Sequence, residues 1–82
     1  MNKVKLLFFA TLRDRAGTRS MELEIPTGMT VQGLKEHISR TQPGLAESMK
    51  SVLITIDREY AFDEAVIPEN GEIAMFPPVS GG

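Results

Sequence analysis

Side chains that commonly carry enzyme chemistry are scarce in this sequence. It has 82 residues, no cysteine and one histidine, His37. The lack of cysteine excludes disulfides, iron–sulfur clusters, zinc thiolate sites and thiol nucleophiles. His37 lies in a helical pattern with no catalytic partner nearby in sequence, so we interpret it as a surface or edge residue. We therefore expect no metal site and no self-sufficient catalytic site.

The charged residues also fit an ordinary protein surface. Carboxylates in the second half are spread across predicted turns, which favours solvated charges over a paired catalytic acid or a metal cluster. "RDRAG" (13–17) is predicted to be a charged turn, in which Arg13 is a candidate contact for an anion or a partner's carboxylate. The carboxylates concerned are Asp57, Glu59, Asp63, Glu64, Glu69 and Glu72.

One further reactive group is the carboxylate of Gly82, at the end of "FPPVSGG". Pro77 and Pro78 have no N–H and a fixed φ, so the chain is expected to leave the fold as an extended spacer. Val79 offers an apolar anchor and Ser80 a polar one. Gly81 and Gly82 lack Cβ and suit a narrow channel in another protein. The alternative is an inert terminal segment, which tolerates glycine equally well.

The chemistry of such a group depends on a partner. A terminal carboxylate is an anion at neutral pH and a poor electrophile. A partner using ATP and magnesium could convert it to an acyl-adenylate. A sulfur nucleophile could then displace AMP and leave a thiocarboxylate or a thioester.

Alternating apolar residues predict the strands that must position this terminus. Val4, Leu6, Phe8, Ala10 and Leu12 predict a first strand, and Met21, Leu23 and Ile25 predict a second that forms an antiparallel hairpin with it. Further strands are expected at 52–56, 60–62 and 73–76, with turns at 57–60 and 67–72.

One helix is predicted between the second and third strands. Thr30 is a plausible N-cap, Val31, Leu34 and Ile38 form an apolar stripe, and "QPG" (42–44) ends the helix. A helix on one face of a mixed sheet buries this pattern economically. We predict an α+β fold of the β-grasp, ubiquitin-like type, with a domain over 1–76 and an extended tail over 77–82.

Composition agrees with a small folded domain. The sequence is 41% hydrophobic and 24% charged, which argues against disorder. A net charge of −2 does not favour nucleic acid or an anionic membrane as a partner. No apolar stretch approaches the ~20 residues of a membrane span. We expect a cytoplasmic protein.

The whole chain resembles the MoaD/ThiS sulfur-carrier family. The resemblance rests on "KLLFFATLRDRAG" (5–17), "ENGEIAMFPPVSGG" (69–82) and the total length. The Gly-Gly terminus is shared with ubiquitin-like modifiers. The acidic turn followed by "PPVSGG" is typical of the branch formed by small subunits of molybdopterin synthase.

The resemblance implies a route for the terminus. An E1-like adenylyltransferase would activate Gly82 with ATP, and a sulfur donor enzyme would convert it to a thiocarboxylate. The tail would then enter the large subunit of molybdopterin synthase, in a heterotetramer, and donate sulfur to cyclic pyranopterin monophosphate. The catalytic residues would belong to the large subunit, and no cofactor would be held stably here.

The resemblance also implies a partner surface. Phe9, Tyr60 and Phe76 fall where the family uses apolar partner contacts, and Arg13 falls where it often has an arginine. Many relatives carry asparagine at the position of Asp57. Alternative functions are a thiamine-pathway sulfur carrier, a ubiquitin-like protein modifier, or a binding module with an inert tail.

Overall fold

Five β-strands form one mixed sheet in the computed structural model, which describes residues 1–78. Their order across the sheet is β2-β1-β5-β3-β4. β1 and β2 are the predicted antiparallel hairpin, whereas β1 and β5 run parallel at the centre. The strands are β1 (Asn2–Phe8), β2 (Ser20–Ile25), β3 (Leu53–Ile56), β4 (Glu59–Tyr60) and β5 (Glu72–Phe76).

The main helix, α2 (Val31–Thr41), begins at the predicted cap. The Thr30 side-chain oxygen accepts a hydrogen bond from the Gly33 N–H at 3.2 Å, which satisfies one of the helix's free amides. The apolar stripe of α2 is buried against the sheet. Pro43 starts a 3₁₀ turn (Pro43–Leu45), and a second turn follows at Ser48–Lys50. The predicted β-grasp fold is therefore confirmed.

The hydrophobic core lies between α2 and one face of the sheet. Alternate residues of the central strands point into it, and the residues between them lie on the opposite, outer face. Leu6, Ile54, Ile73 and Met75 are at most 3% exposed. Lys5, Leu53 and Phe76, from the same strands, are not fully buried. The outer face is thus the side of the sheet that α2 does not cover.

The end of the first strand was predicted incorrectly. β1 ends at Phe8, and a short helix, α1 (Thr11–Ala16), replaces the expected strand residues and charged turn. Ala10 breaks the strand with φ 52° and ψ −128°. Phe8 and Leu12 are both buried, but a four-residue spacing also fits one helical turn, so alternation could not separate the two structures.

The last hairpin is tighter than predicted. The expected four-residue turn is a two-residue loop, Asp57–Arg58, and β4 covers Glu59–Tyr60 instead of 60–62. Both loop residues have positive φ, 50° and 74°, as in the type I′ turn that matches the twist of a hairpin. Asp57 Oδ1 also accepts a hydrogen bond from the Glu72 N–H at 3.0 Å. The loop is thereby joined to the start of β5.

Candidate functional site

A shallow cleft lies on the outer face of the sheet, where the described chain ends. Its volume is about 610 Å³. It contains three of the four predicted partner-contact residues and both tail prolines. The lining residues are Phe9, Ala10, Leu53, Thr55, Arg58, Tyr60, Phe76, Pro77 and Pro78.

Strand pairing brings two of the aromatic residues into contact. β1 and β5 are parallel and Phe8 pairs with Met75, so the next residues, Phe9 and Phe76, also lie side by side. Their rings stack with centroids 4.6 Å apart and planes 9° from parallel. The Phe9 N–H donates to the Met75 carbonyl at 3.2 Å. Phe76 is half-buried, while Phe9 remains 41% exposed.

Tyr60 is carried to the other side of the cleft by the last hairpin. Thr55 of β3 pairs with Tyr60 of β4, and Leu53 pairs with Phe76 of β5. Paired residues of antiparallel strands project to the same face. The side chain of Tyr60 is 76% exposed. Such exposed aromatic rings are the residues that protein interfaces most often use as anchors.

Four lining residues were not predicted from the sequence: Ala10, Leu53, Thr55 and Arg58. The alternation of β3 contained enough information to place Leu53 and Thr55 on the outer face. Arg58 could not be identified in this way, because its position depends on the two positive φ angles of its loop. Ala10 was predicted to belong to the first strand, but β1 ends two residues earlier, at Phe8.

Arg13 is not among the residues that line this cleft. It lies exposed on α1, and its carbonyl accepts the capping N–H of Gly17 at 3.0 Å. A smaller neighbouring cleft of about 240 Å³ has Arg15, with Thr11, Leu12 and the same two prolines, in its lining. The structure therefore does not join Arg13 to the aromatic residues, and its predicted partner contact stays a prediction.

The predicted tail residues Val79, Ser80, Gly81 and Gly82 lie outside the described residues. Pro77 and Pro78 follow β5 directly and line both clefts. The roles assigned to all six tail residues, and to the aromatic contacts, stay predictions.

Catalytic features are not evident around the cleft. Among the residues that the structure describes, its lining contains one charged side chain, Arg58, and no carboxylate, histidine or serine. Across residues 1–78, no group of three or more histidine, aspartate or glutamate side chains is placed to hold a metal ion. Within the same range, no helix has the length and apolar character needed to span a membrane. The arrangement is suited to binding a protein surface.

Comparison with known proteins identifies the family. The ThiS family model matches residues 6–82, nearly the full chain. The chain belongs to the ThiS family. The sulfur-carrier family predicted from the sequence is thus confirmed.

Two similar proteins have names that refer to molybdopterin synthesis. The molybdopterin synthase sulfur carrier subunit of Arabidopsis thaliana is 32% identical over 80 residues, which cover 98% of this chain and 83% of that protein. Among solved structures, a candidate molybdopterin converting factor subunit 1 from Pyrococcus furiosus is 28% identical, with a TM-score of 0.86. The match covers 96% of this chain and all of the other.

A third similar protein of known structure is a modifier protein. The small archaeal modifier protein 1 of Methanosarcina acetivorans is 28% identical, with a TM-score of 0.77, over all of this chain and 98% of that chain. One fold therefore occurs in proteins described as synthase subunits and in proteins described as modifiers.

Proposed function

We propose that this protein is the sulfur-carrying small subunit of a molybdopterin synthase. The observation that carries the proposal is the full-length similarity to molybdopterin synthase sulfur carrier subunits. The sequence also ends in the Gly81–Gly82 pair through which such a carrier would act. On its own the protein would have no catalytic activity, and the catalytic residues would lie in the large synthase subunit.

The proposed chemistry takes place on the carboxylate of Gly82. An E1-like adenylyltransferase binds ATP, and a carboxylate oxygen attacks the α-phosphorus, which releases pyrophosphate and leaves an acyl-adenylate. A sulfur donor enzyme then supplies a sulfur nucleophile that displaces AMP. When that nucleophile is the terminal sulfur of a persulfide on the donor, a second thiol attacks the donor-side sulfur of the resulting acyl disulfide, forms a disulfide with the donor and releases the Gly82 thiocarboxylate. In the large subunit the thiocarboxylate transfers its sulfur to cyclic pyranopterin monophosphate, and hydrolysis returns Gly82 to a carboxylate.

The residues that line the cleft would serve this chemistry in two ways. The aromatic residues would bind the partner, and the two prolines would direct the tail. Phe9, Tyr60 and Phe76 present aromatic surface beside the start of the tail. A partner bound to this surface would hold the point from which the tail leaves the fold. Pro77 and Pro78 restrict the free conformations of the spacer, so less entropy is lost when the tail is bound.

Intact-mass spectrometry tests the proposal. The protein is incubated with the E1-like enzyme of the same organism, ATP, magnesium and a sulfur source. Replacement of one oxygen by sulfur should raise the mass by about 16 Da. The matched control lacks Gly82 and should gain nothing. No mass change in the full-length protein, with an enzyme shown to be active on another carrier, would refute the proposal.

A protein-modifier function is the second candidate, favoured by the similarity to the Methanosarcina modifier protein. A modifier would form an isopeptide bond between its terminal glycine and a lysine of another protein. In a cell extract supplied with ATP, the tagged chain would then appear in conjugates of higher mass. A thiamine-pathway carrier would gain the same 16 Da but would not bind the large synthase subunit, so binding to that subunit separates the two carriers.

A further inference from the structure

Arg58 has an unusual backbone conformation for its residue type. It is the second residue of the two-residue loop between β3 and β4, and its φ is 74°. Loops of this type favour glycine at that position, because a Cβ is strained at positive φ. Strained residues that persist in a fold often serve a function. The question is therefore what the arginine side chain does there.

Among residues 1–78, Arg58 supplies the only charged side chain that lines the cleft. The nine lining residues are otherwise apolar or neutral, and none is acidic. Each ion pair found within residues 1–78 joins a lysine to a carboxylate, and none includes Arg58. Arg58 therefore has no ionic partner in that part of the chain. A cation beside an apolar aromatic surface is complementary to a surface with an apolar anchor and a carboxylate next to it.

Arginine suits that task better than other cations. Its planar guanidinium can form two parallel hydrogen bonds with one carboxylate, and it loses water more easily than an ammonium group. A bound partner would also exclude water from the aromatic residues around Arg58. The lower local dielectric strengthens a hydrogen bond between the guanidinium and a carboxylate of the partner. Both properties favour an ion pair that forms only in the complex.

We propose that Arg58 is a specificity-determining residue that pairs with a carboxylate of the large synthase subunit when that subunit docks on the cleft. The inference rests on the proposed function, since it takes the large subunit as the occupant. It adds a named ion pair to a surface that would otherwise bind through aromatic contacts alone.

Affinity measurements with three variants test the inference. The protein and its cognate large subunit are titrated at low and at high salt. Arg58→Gly should weaken binding about tenfold or more at low salt, and the difference should shrink at high salt. Arg58→Lys keeps the charge and should recover part of the affinity. Arg40→Gln removes a cation from the exposed face of α2 and should bind like the unsubstituted protein.

Folding must be measured in parallel. Glycine relieves the strain at φ 74° but makes the unfolded chain more flexible, so the melting temperature of Arg58→Gly should stay close to that of the unsubstituted protein. Unchanged affinity in Arg58→Gly, equal weakness in Arg58→Lys, or a large loss of stability would each overturn the assignment. Failure of the unsubstituted protein to bind would instead overturn the proposed function on which it rests.

Discussion

Tyr60 offers the sharpest test of the aromatic surface, because it contributes little to the free protein. Its side chain is 76% exposed, and its strand, β4, is only two residues long. A tyrosine buries roughly 200 Å² when fully enclosed. About a quarter of that area, at ~25 cal/mol per Å², limits the folding contribution to roughly 1 kcal/mol. Tyr60→Ala should therefore leave a folded protein.

The expected effect on binding is larger. If the partner covers the remaining ~150 Å² of Tyr60, burial of that area contributes at most ~4 kcal/mol to the binding free energy. Ordering the side chain offsets about 1 kcal/mol of this. A net loss of about 2–3 kcal/mol corresponds to a dissociation constant roughly 30- to 150-fold higher for the Tyr60→Ala variant. Calorimetric titration with the large synthase subunit, alongside urea unfolding of each variant, measures both quantities.

Phe62 provides a matched control two residues further along the chain. It is aromatic and 78% exposed, but it does not line the cleft. Phe62→Ala should change the dissociation constant less than threefold, which is within about 0.6 kcal/mol. Equal effects of the two substitutions would refute the assignment of the cleft as the docking surface. A loss of much more than 1 kcal/mol in the unfolding free energy of Tyr60→Ala would refute the estimate of its burial.

Three further predictions concern the loop, the helix and the terminus. Asp57→Asn should change the unfolding free energy in urea by less than ~0.5 kcal/mol, because asparagine tolerates positive φ and its side-chain oxygen can still accept the Glu72 N–H; a larger loss would show that the negative charge is needed. Gly33→Ala should raise the unfolding free energy by up to ~1 kcal/mol through helix propensity. The new Cβ would lie 3.0 Å from Met29 Cγ, so a decrease would show that this flexible side chain cannot move. Deletion of Gly82 should abolish the mass gain on sulfur loading without lowering the melting temperature by more than a degree or two, and a large drop would assign the terminus a structural role.

Much of the fold could be predicted because the local signals agreed with each other. The alternation in 21–25, the Thr30 cap and the stripe of Val31, Leu34 and Ile38 each indicated one structure, and the structure contains it. The prediction for residues 10–16 was wrong because the local signals there were ambiguous. Its apolar residues fit both periods, and the deciding feature is the positive φ of Ala10, which no residue-type preference indicates.

The candidate site was harder to assemble from the sequence. Phe9 and Phe76 are 67 positions apart in the sequence and touch only because β1 and β5 pair in parallel with one register. A single sequence carries no signal for that register. The resemblance to sulfur carriers supplied both residues, as well as Tyr60, but not Arg58. The sequence therefore predicted the aromatic residues of the cleft but not Arg58, the one charged side chain among its described lining residues.

The cleft and the tail are linked by a simple constraint of length. Phe76 is held by β5, by its pairing with Leu53 and by the Phe9 ring, so its truncation would disturb folding and binding together and could not separate them. The same packing gives the tail a fixed origin. Four residues beyond Pro78 extend at most ~14 Å. If a partner that is bound to the cleft also reacts with Gly82, its reacting atoms must lie within about 14 Å of Pro78. This distance limits where the active site of the bound partner can be.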